Sequence, residues 1–180
     1  MSEHIRLIRS SILAEAPYAY AAIAPPGSRL VFLAGACPLD STGATQAPGD
    51  HAAQAGASLD NLEVALAESG ALLTDVLATR VLVATADRAD LVTVWNVVAD
   101  RFGPHDVPST LLGVTVLGYP DQLVEIEAVA ACDSNPVVSA YSLVRGGCFK
   151  CREATLAHQS MWLVAGACGN LSQIHRVTRR

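Results

Sequence analysis

Positive charge is scarce in the first three quarters of this 180-residue chain. Residues 1–132 hold six arginines, no lysine and fifteen acidic residues, a net charge of −9. A nucleic-acid surface needs a basic footprint, so this body argues against nucleic acid as partner. Long apolar runs are also missing. None approaches the roughly 20 residues that cross a bilayer, which excludes a membrane span. The opening Met1-Ser-Glu-His-Ile-Arg6 lacks a basic region followed by an apolar stretch. No secretion signal is therefore read there, and a cytoplasmic location is the expectation. A disulfide framework is not expected either. The five cysteines at 37, 132, 148, 151 and 168 are odd in number, which favours free thiols in a reducing compartment. The single lysine, Lys150, and the abundance of alanine are read as compositional bias without functional meaning.

What is present is a globular composition, 51% hydrophobic and 16% charged. The length fits one domain with an appendage. Two domains are assigned, 1–132 as the body and 133–180 as a C-terminal extension of different composition, with a net charge of +4. That charge is read as a solvated tail.

Ile5–Ile8 and Tyr18–Ala24 are short strand candidates. Pro25-Pro26-Gly27-Ser28 is a turn, and Leu30–Ala36 a buried strand, so 18–36 is expected to form a hairpin. Asp50 caps a helix over His51–Ser69, with Ala55, Leu59, Leu62 and Leu66 on one face and Gly70 just after its end. Leu77–Ala84 reads as a strand. Asp87 caps a second helix, with the stripe Leu91, Val94, Val98 and Phe102 and a stop at Gly103-Pro104. A second hairpin is expected over 109–131, turning at Gly118–Asp121. The order ββ-α-β-α-ββ predicts an α+β two-layer sandwich, with two helices on one face of a mixed sheet of about six strands. Most of these strands are apolar at consecutive positions, which implies cover on both faces. Two helices cover one face only, so an oligomer is expected.

Four segments resemble the YjgF/RidA (Rid) family. Ala16-Pro17-Tyr18-Ala19-Tyr20-Ala21 is similar to an early Gly-Pro-Tyr-Ser segment. Val31–Asp40 is similar to the family's Phe-Val-Ser-Gly-Gln-Ile-Pro-Leu-Asp strand. Asn61-Leu62 with Leu66 is similar to the Asn-Leu of its first helix, and Leu123-Val-Glu-Ile-Glu-Ala128 to its closing strand. The resemblance covers about residues 10–131. It implies a chorismate-mutase-like fold, a homotrimer, and small-molecule sites in clefts between subunits. It also implies hydrolysis of reactive enamines or imines to ketoacids and ammonia, without metal or organic cofactor. The family's ribonuclease label sits poorly with the acidic body.

Carried over residue by residue, the resemblance implies Glu127 and Tyr18 as catalytic residues and Gly35, Ser109, Thr110 and Trp95 as substrate-binding residues. Glu127 would position the water or the imine nitrogen; its alternative is a rim glutamate. Glu125 points the same way by alternation and is expected to be structural. Tyr18 would orient ligand or water, or pack at a subunit contact. Gly35 would let backbone N–H groups approach a ligand, while Ala34 replaces a serine. Trp95 stands where the family has an asparagine and would narrow the pocket. Above all, Pro108 stands where active members keep an arginine for the substrate carboxylate, directly before Ser109-Thr110. Arg29 and Arg101 are the substitutes considered. An alternative follows from these losses: a trimer that binds a small metabolite without catalysis. Cys37 and Cys132 are read as buried small residues. His105 is read as a solvated loop side chain or a proton carrier. In the extension, Cys148 and Cys151 with His158, Cys168 and His175 match no standard zinc spacing, and no metal is assigned.

Overall fold

The computed structural model describes residues 5–132. The extension at 133–180, including Cys148 and Cys151, and what is expected of it lie outside the described residues. The order is β1 (Arg6–Ile8), β2 (Ala21–Ile23), β3 (Arg29–Phe32), α1 (His51–Glu68), a 3-10 turn (Leu73–Asp75), β4 (Val76–Ala84), α2 (Arg88–Phe102), β5 (Ser109–Val114) and β6 (Val124–Cys132).

Both helices form where the sequence places them, because their ends are chemically closed. The Asp50 carboxylate accepts from Ala53 N at 2.9 Å and that of Asp87 from Ala89 N at 2.9 Å. At the far end of α1, Gly70 takes φ +76°. Its N–H reaches Ala67 O, and Ala71 N reaches Leu66 O at 2.9 Å, a Schellman closure. Leu59, Leu62 and Leu66 of α1 and Val94, Val98 and Phe102 of α2 are buried against Val81, Val83, Val124, Ile126, Ala128 and Ala130 of the sheet. Each such large aliphatic side chain contributes roughly 1.5–3 kcal/mol by leaving water.

The strands depart from expectation in their partners. Among the described residues six strands form, but as a two-stranded β1-β2 ribbon and a four-stranded mixed sheet in the order β3-β6-β4-β5. Neither expected hairpin exists. β2 pairs with β1, and β3 pairs with β6. β5 runs parallel to β4, and β6 runs antiparallel to it, so β4 separates the two strands that the sequence suggested as neighbours. The physical reason is β4 itself. Of its nine residues only Arg80 is exposed, and such a strand takes an interior place beside β6, with α2 as the crossover that a parallel β4-β5 pair requires. Residues 115–123 then step across it.

The helices lie on one face of the four-stranded sheet, as expected. The other face carries, by register, the rows Phe32–Val129–Ala78, Glu127–Arg80–Thr110 and Glu125–Leu82–Leu112. Leu30, Phe32 and Leu112 are exposed there, Phe32 by 75%.

Candidate functional site

One cluster of chemistry forms where β3 ends. The chain continues from Phe32 and is pinned to β6, since Ala36 N reaches Ile126 O at 2.8 Å and Ile126 N reaches Ala36 O at 3.1 Å. From the other side Asn61 of α1 donates to Cys37 O at 2.8 Å and Leu39 O at 2.9 Å. The segment 33–39 is therefore held between a strand and a helix. Beside it lies a cavity of about 450 Å³, walled by Gly35, Cys37, Asn61, Phe32 and Tyr119 among others.

Glu125 comes up from β6 against this segment. A β-carbon at Gly35 would overlap the Glu125 carboxylate, with Oε1 nearest. Gly35 is thus a glycine because a carboxylate occupies the space of its side chain. The second oxygen, Oε2, accepts from Gln122 Nε2 at 3.1 Å and lies 3.6 Å from Cys37 Sγ. Burial pushes the Cys37 thiol up from its ordinary pKa, and the negative charge of Glu125 pushes it further; the Gln122 amide opposes this. Cys37 is accordingly a protonated donor beside the carboxylate.

Glu127 stands elsewhere. Its Oε2 accepts from Arg80 Nη1 at 3.1 Å, across the register pair Arg80–Glu127. The Arg80 side chain is 56% exposed and that of Glu127 40%. Thr110 is the register neighbour of Arg80 on the far strand and is exposed. Ser109 faces the other way. Its hydroxyl lies 2.7 Å from Thr79 Oγ1 and donates to Val107 O at 3.1 Å, a use inside the fold.

Tyr18 and Trp95 form a third group. Their rings meet edge to face at 5.9 Å and 84°, and Tyr20 flanks Tyr18 at 6.3 Å. A small cavity of about 90 Å³ lies there, lined by Pro17, Trp95, Phe102, Asp106, Val107 and Ser109. Arg9 is ion-paired to Asp106 and also donates to Tyr18 O at 3.4 Å. The six residues expected to form one site therefore fall in separate places on one chain: Gly35 with Glu125, Thr110 with Glu127, and Tyr18 with Trp95 and Ser109.

The two arginines considered for the substrate carboxylate, Arg29 and Arg101, are both engaged within the fold. Arg101 bonds Glu63 at 2.7 Å and Asp60 at 2.9 Å. Arg29 bonds Ser69 O at 3.1 Å and Cys132 Sγ at 3.3 Å. Sequence reasoning missed Arg80, which the register sets on the open face between Thr110 and Glu127, and Gln122. The alternation of β4 around Val81 and Val83 was the available signal for Arg80; Gln122 left none. His105 corrects its expectation. Its Nε2 bonds Val76 O at 2.8 Å, so it ties a loop to β4 rather than facing solvent freely. Among the described residues no group of His, Cys, Asp or Glu is arranged to hold a metal, and no helix is long and apolar enough to cross a membrane.

Comparison with known proteins accounts for this architecture. No curated protein matches the chain. Among solved structures it is similar to YyfB from Yersinia pestis, a protein of unknown function of the conserved Rid family, at 26% identity and TM-score 0.66 over 72% of this chain and 100% of that one. It is similar to E. coli TdcF with bound serine at 27% identity and TM-score 0.51, over 71% of this chain and 99% of that one. It is also similar to the E. coli YjgF gene product at 30% identity and TM-score 0.50, over 66% and 90%. The family described as Endoribonuclease L-PSP matches residues 8–132. With its chorismate-mutase-like α+β fold, the chain belongs to this family, the YjgF or Rid family.

Proposed function

We propose that this protein hydrolyses small enamines or imines to ketoacids and ammonia, in a cleft completed by neighbouring copies of the chain in a cytoplasmic homotrimer. The observation that carries the reading is the Glu125 carboxylate seated on Gly35, with one oxygen held by Gln122. A carboxylate fixed in this way takes a proton from water as the water oxygen bonds to the imine carbon. That proton passes to nitrogen and leaves a carbinolamine; the carboxylate then takes the hydroxyl proton and delivers it to nitrogen as the carbonyl forms and the carbon–nitrogen bond breaks, so that ammonia leaves and the ketoacid remains, while an enamine enters the same route once a proton from solvent has added to its β-carbon. The acid–base role expected of Glu127 falls to Glu125, because Glu125 is the carboxylate held in one place by a buried amide, whereas Glu127 lies on the open face beside Arg80.

Two features support completion by other copies. Tyr18 and Gly35 belong to separate clusters of one chain. The open sheet face exposes Leu30, Phe32 and Leu112, an apolar area of the kind that subunits cover. A small amino-acid-like ligand is in keeping with the likeness to TdcF, whose structure holds serine, a molecule of the size of an imine's parent amino acid. For the substrate carboxylate, Arg80 is the cation of the open face, set beside Thr110; a guanidinium fork suits that group.

An amino-acid oxidase generating imines in situ tests the activity. Ammonia release faster than in buffer, across several amino acids, is the expected result; release at the buffer rate for all of them rejects it. A second reading, small-metabolite binding without catalysis, is favoured by one observation: the Trp95 indole packs on Tyr18 and narrows that half of the cleft. A thermal shift with pyruvate in a protein without hydrolysis would select it.

A further inference from the structure

We infer that Gln122 and Cys37 are the positioning residues of Glu125: they hold its Oε2, so that Oε1 stands over Gly35 as the oxygen that handles the proton. The inference rests on the hydrolytic reading for its kinetic consequence, and on geometry alone for the rest.

The two carboxylate oxygens are treated differently. Oε2 has both partners, Gln122 Nε2 at 3.1 Å and Cys37 Sγ at 3.6 Å. Oε1 is the atom that a side chain at position 35 would strike. Gln122 is 4% exposed, and its amide is fully used. Nε2 also donates to Val124 O at 3.2 Å, and Oε1 accepts from Tyr119 N at 3.0 Å. An amide with every function engaged has one orientation, and so has the carboxylate it holds.

The support continues into α1. Gln54 is wholly buried. Its Nε2 donates to Asp121 O at 2.8 Å and its Oε1 accepts from Leu123 N at 2.7 Å, which grips the backbone on both sides of Gln122. Asp121 takes φ +58° there, a left-handed turn conformation that aspartate adopts more readily than most non-glycine residues. A chain of fixed groups thus runs from helix α1 through the turn to the carboxylate.

Cys37 adds the second hold. Its thiol has one proton and two acceptors at 3.6 Å, Gly35 O and Glu125 Oε2. The charged oxygen is the stronger acceptor. Around the thiol, Asn61 and Gln122 are neutral amides, and Glu125 and Tyr119 are the titratable groups on the neighbouring elements. The thiol therefore acts as a donor and not as a nucleophile.

The experiment has two arms. In the first, kcat and KM for imine hydrolysis are measured on the full chain with C37A, C37S and Q122M, each checked by thermal melting. Loss of one hydrogen bond to a charged group predicts a fall in kcat of about tenfold for C37A and Q122M, with KM nearly unchanged, and near-normal kcat for C37S, whose hydroxyl still donates. Equal kcat for C37A and C37S overturns the role of Cys37, whether both are normal or both are low. If Q122M fails to fold, the Cys37 pair decides. The second arm needs no activity. Alkylation of Cys37 by iodoacetamide at pH 8 is followed by peptide mass spectrometry in the wild type and in E125Q. Removing the charge should free the thiolate and raise the rate about threefold or more. An unchanged rate shows that the thiol and carboxylate do not meet, and overturns the inference. A raised rate in a protein without hydrolysis leaves the positioning intact and removes the proposed reaction.

Discussion

Glu125 and Glu127 leave the same strand on the same face, two residues apart, and meet opposite surroundings. Glu125 lies against Gly35 at the β3 side, with a buried amide and a thiol on one oxygen. Glu127 lies at the β4 side, with an arginine at 3.1 Å and solvent around both. Alternation decides the face a side chain takes, and the neighbouring strand decides what the side chain can do. In the proposed reaction the carboxylate held by neutral donors moves the proton, and the one paired with a guanidinium holds that cation in place.

The contrast is broken most directly by two parallel substitutions. E125Q should lower ammonia release about a hundredfold or more, the range that a positioned general base contributes, whereas E127Q should stay within about threefold of wild type. Initial rates under saturating imine supply measure both. The reverse ranking would return the acid–base role to Glu127.

Gly35 carries the next largest effect. In G35A the new methyl group and the Glu125 carboxylate compete for one place. Because Gly35 lies on a segment pinned to both β6 and α1, the carboxylate is the part that must move. The expected result is strongly reduced hydrolysis and a lower melting temperature, in line with overpacking costs of roughly 1–3 kcal/mol. A G35A protein with unaltered rate and melting would mean that Glu125 rests elsewhere in solution.

Much of the fold was legible in the sequence where the signal was local. Asp50, Asp87 and Gly70 announced the helix ends, since a cap needs only its own few residues. The stripes Leu59–Leu62–Leu66 and Val94–Val98–Phe102 announced the packed faces. Strand partners were not legible. The apolar runs at 18–36 and 109–131 look like hairpins because their neighbours in sequence are close, yet β4 lies between β5 and β6 and β3 goes to β6. The site suffered from the same loss. Alternation placed Glu125 and Glu127 together on one face but could not say that Gly35 would meet the first and Arg80 the second.

A smaller effect concerns pH. Burial and the Glu125 charge raise the thiol pKa of Cys37 in the folded chain. A raised folded pKa means that this proton favours the folded state below the ordinary thiol range of about 8.5, and that the stabilisation is lost as pH rises through the folded value. Wild-type stability in urea should therefore fall more steeply than that of C37A between about pH 8 and pH 10. Parallel curves would place the thiol away from the carboxylate.

The smallest effect belongs to the Arg80–Glu127 pair, and its smallness is informative. A cross-strand ion pair this exposed is screened by water, and two long side chains lose freedom in making it. A double-mutant cycle with R80A and E127A should accordingly give a coupling below about 1 kcal/mol in denaturant melts. Arg80 is then bound weakly enough to exchange Glu127 for an incoming carboxylate without loss to the fold. The same R80A variant should raise KM for the imine while leaving kcat near that of wild type, the mark of an interaction made equally in the ground and transition states. A coupling of several kcal/mol with an unchanged KM would instead make Arg80–Glu127 a strut of the sheet, and the cation for the substrate would have to come from a neighbouring copy of the chain.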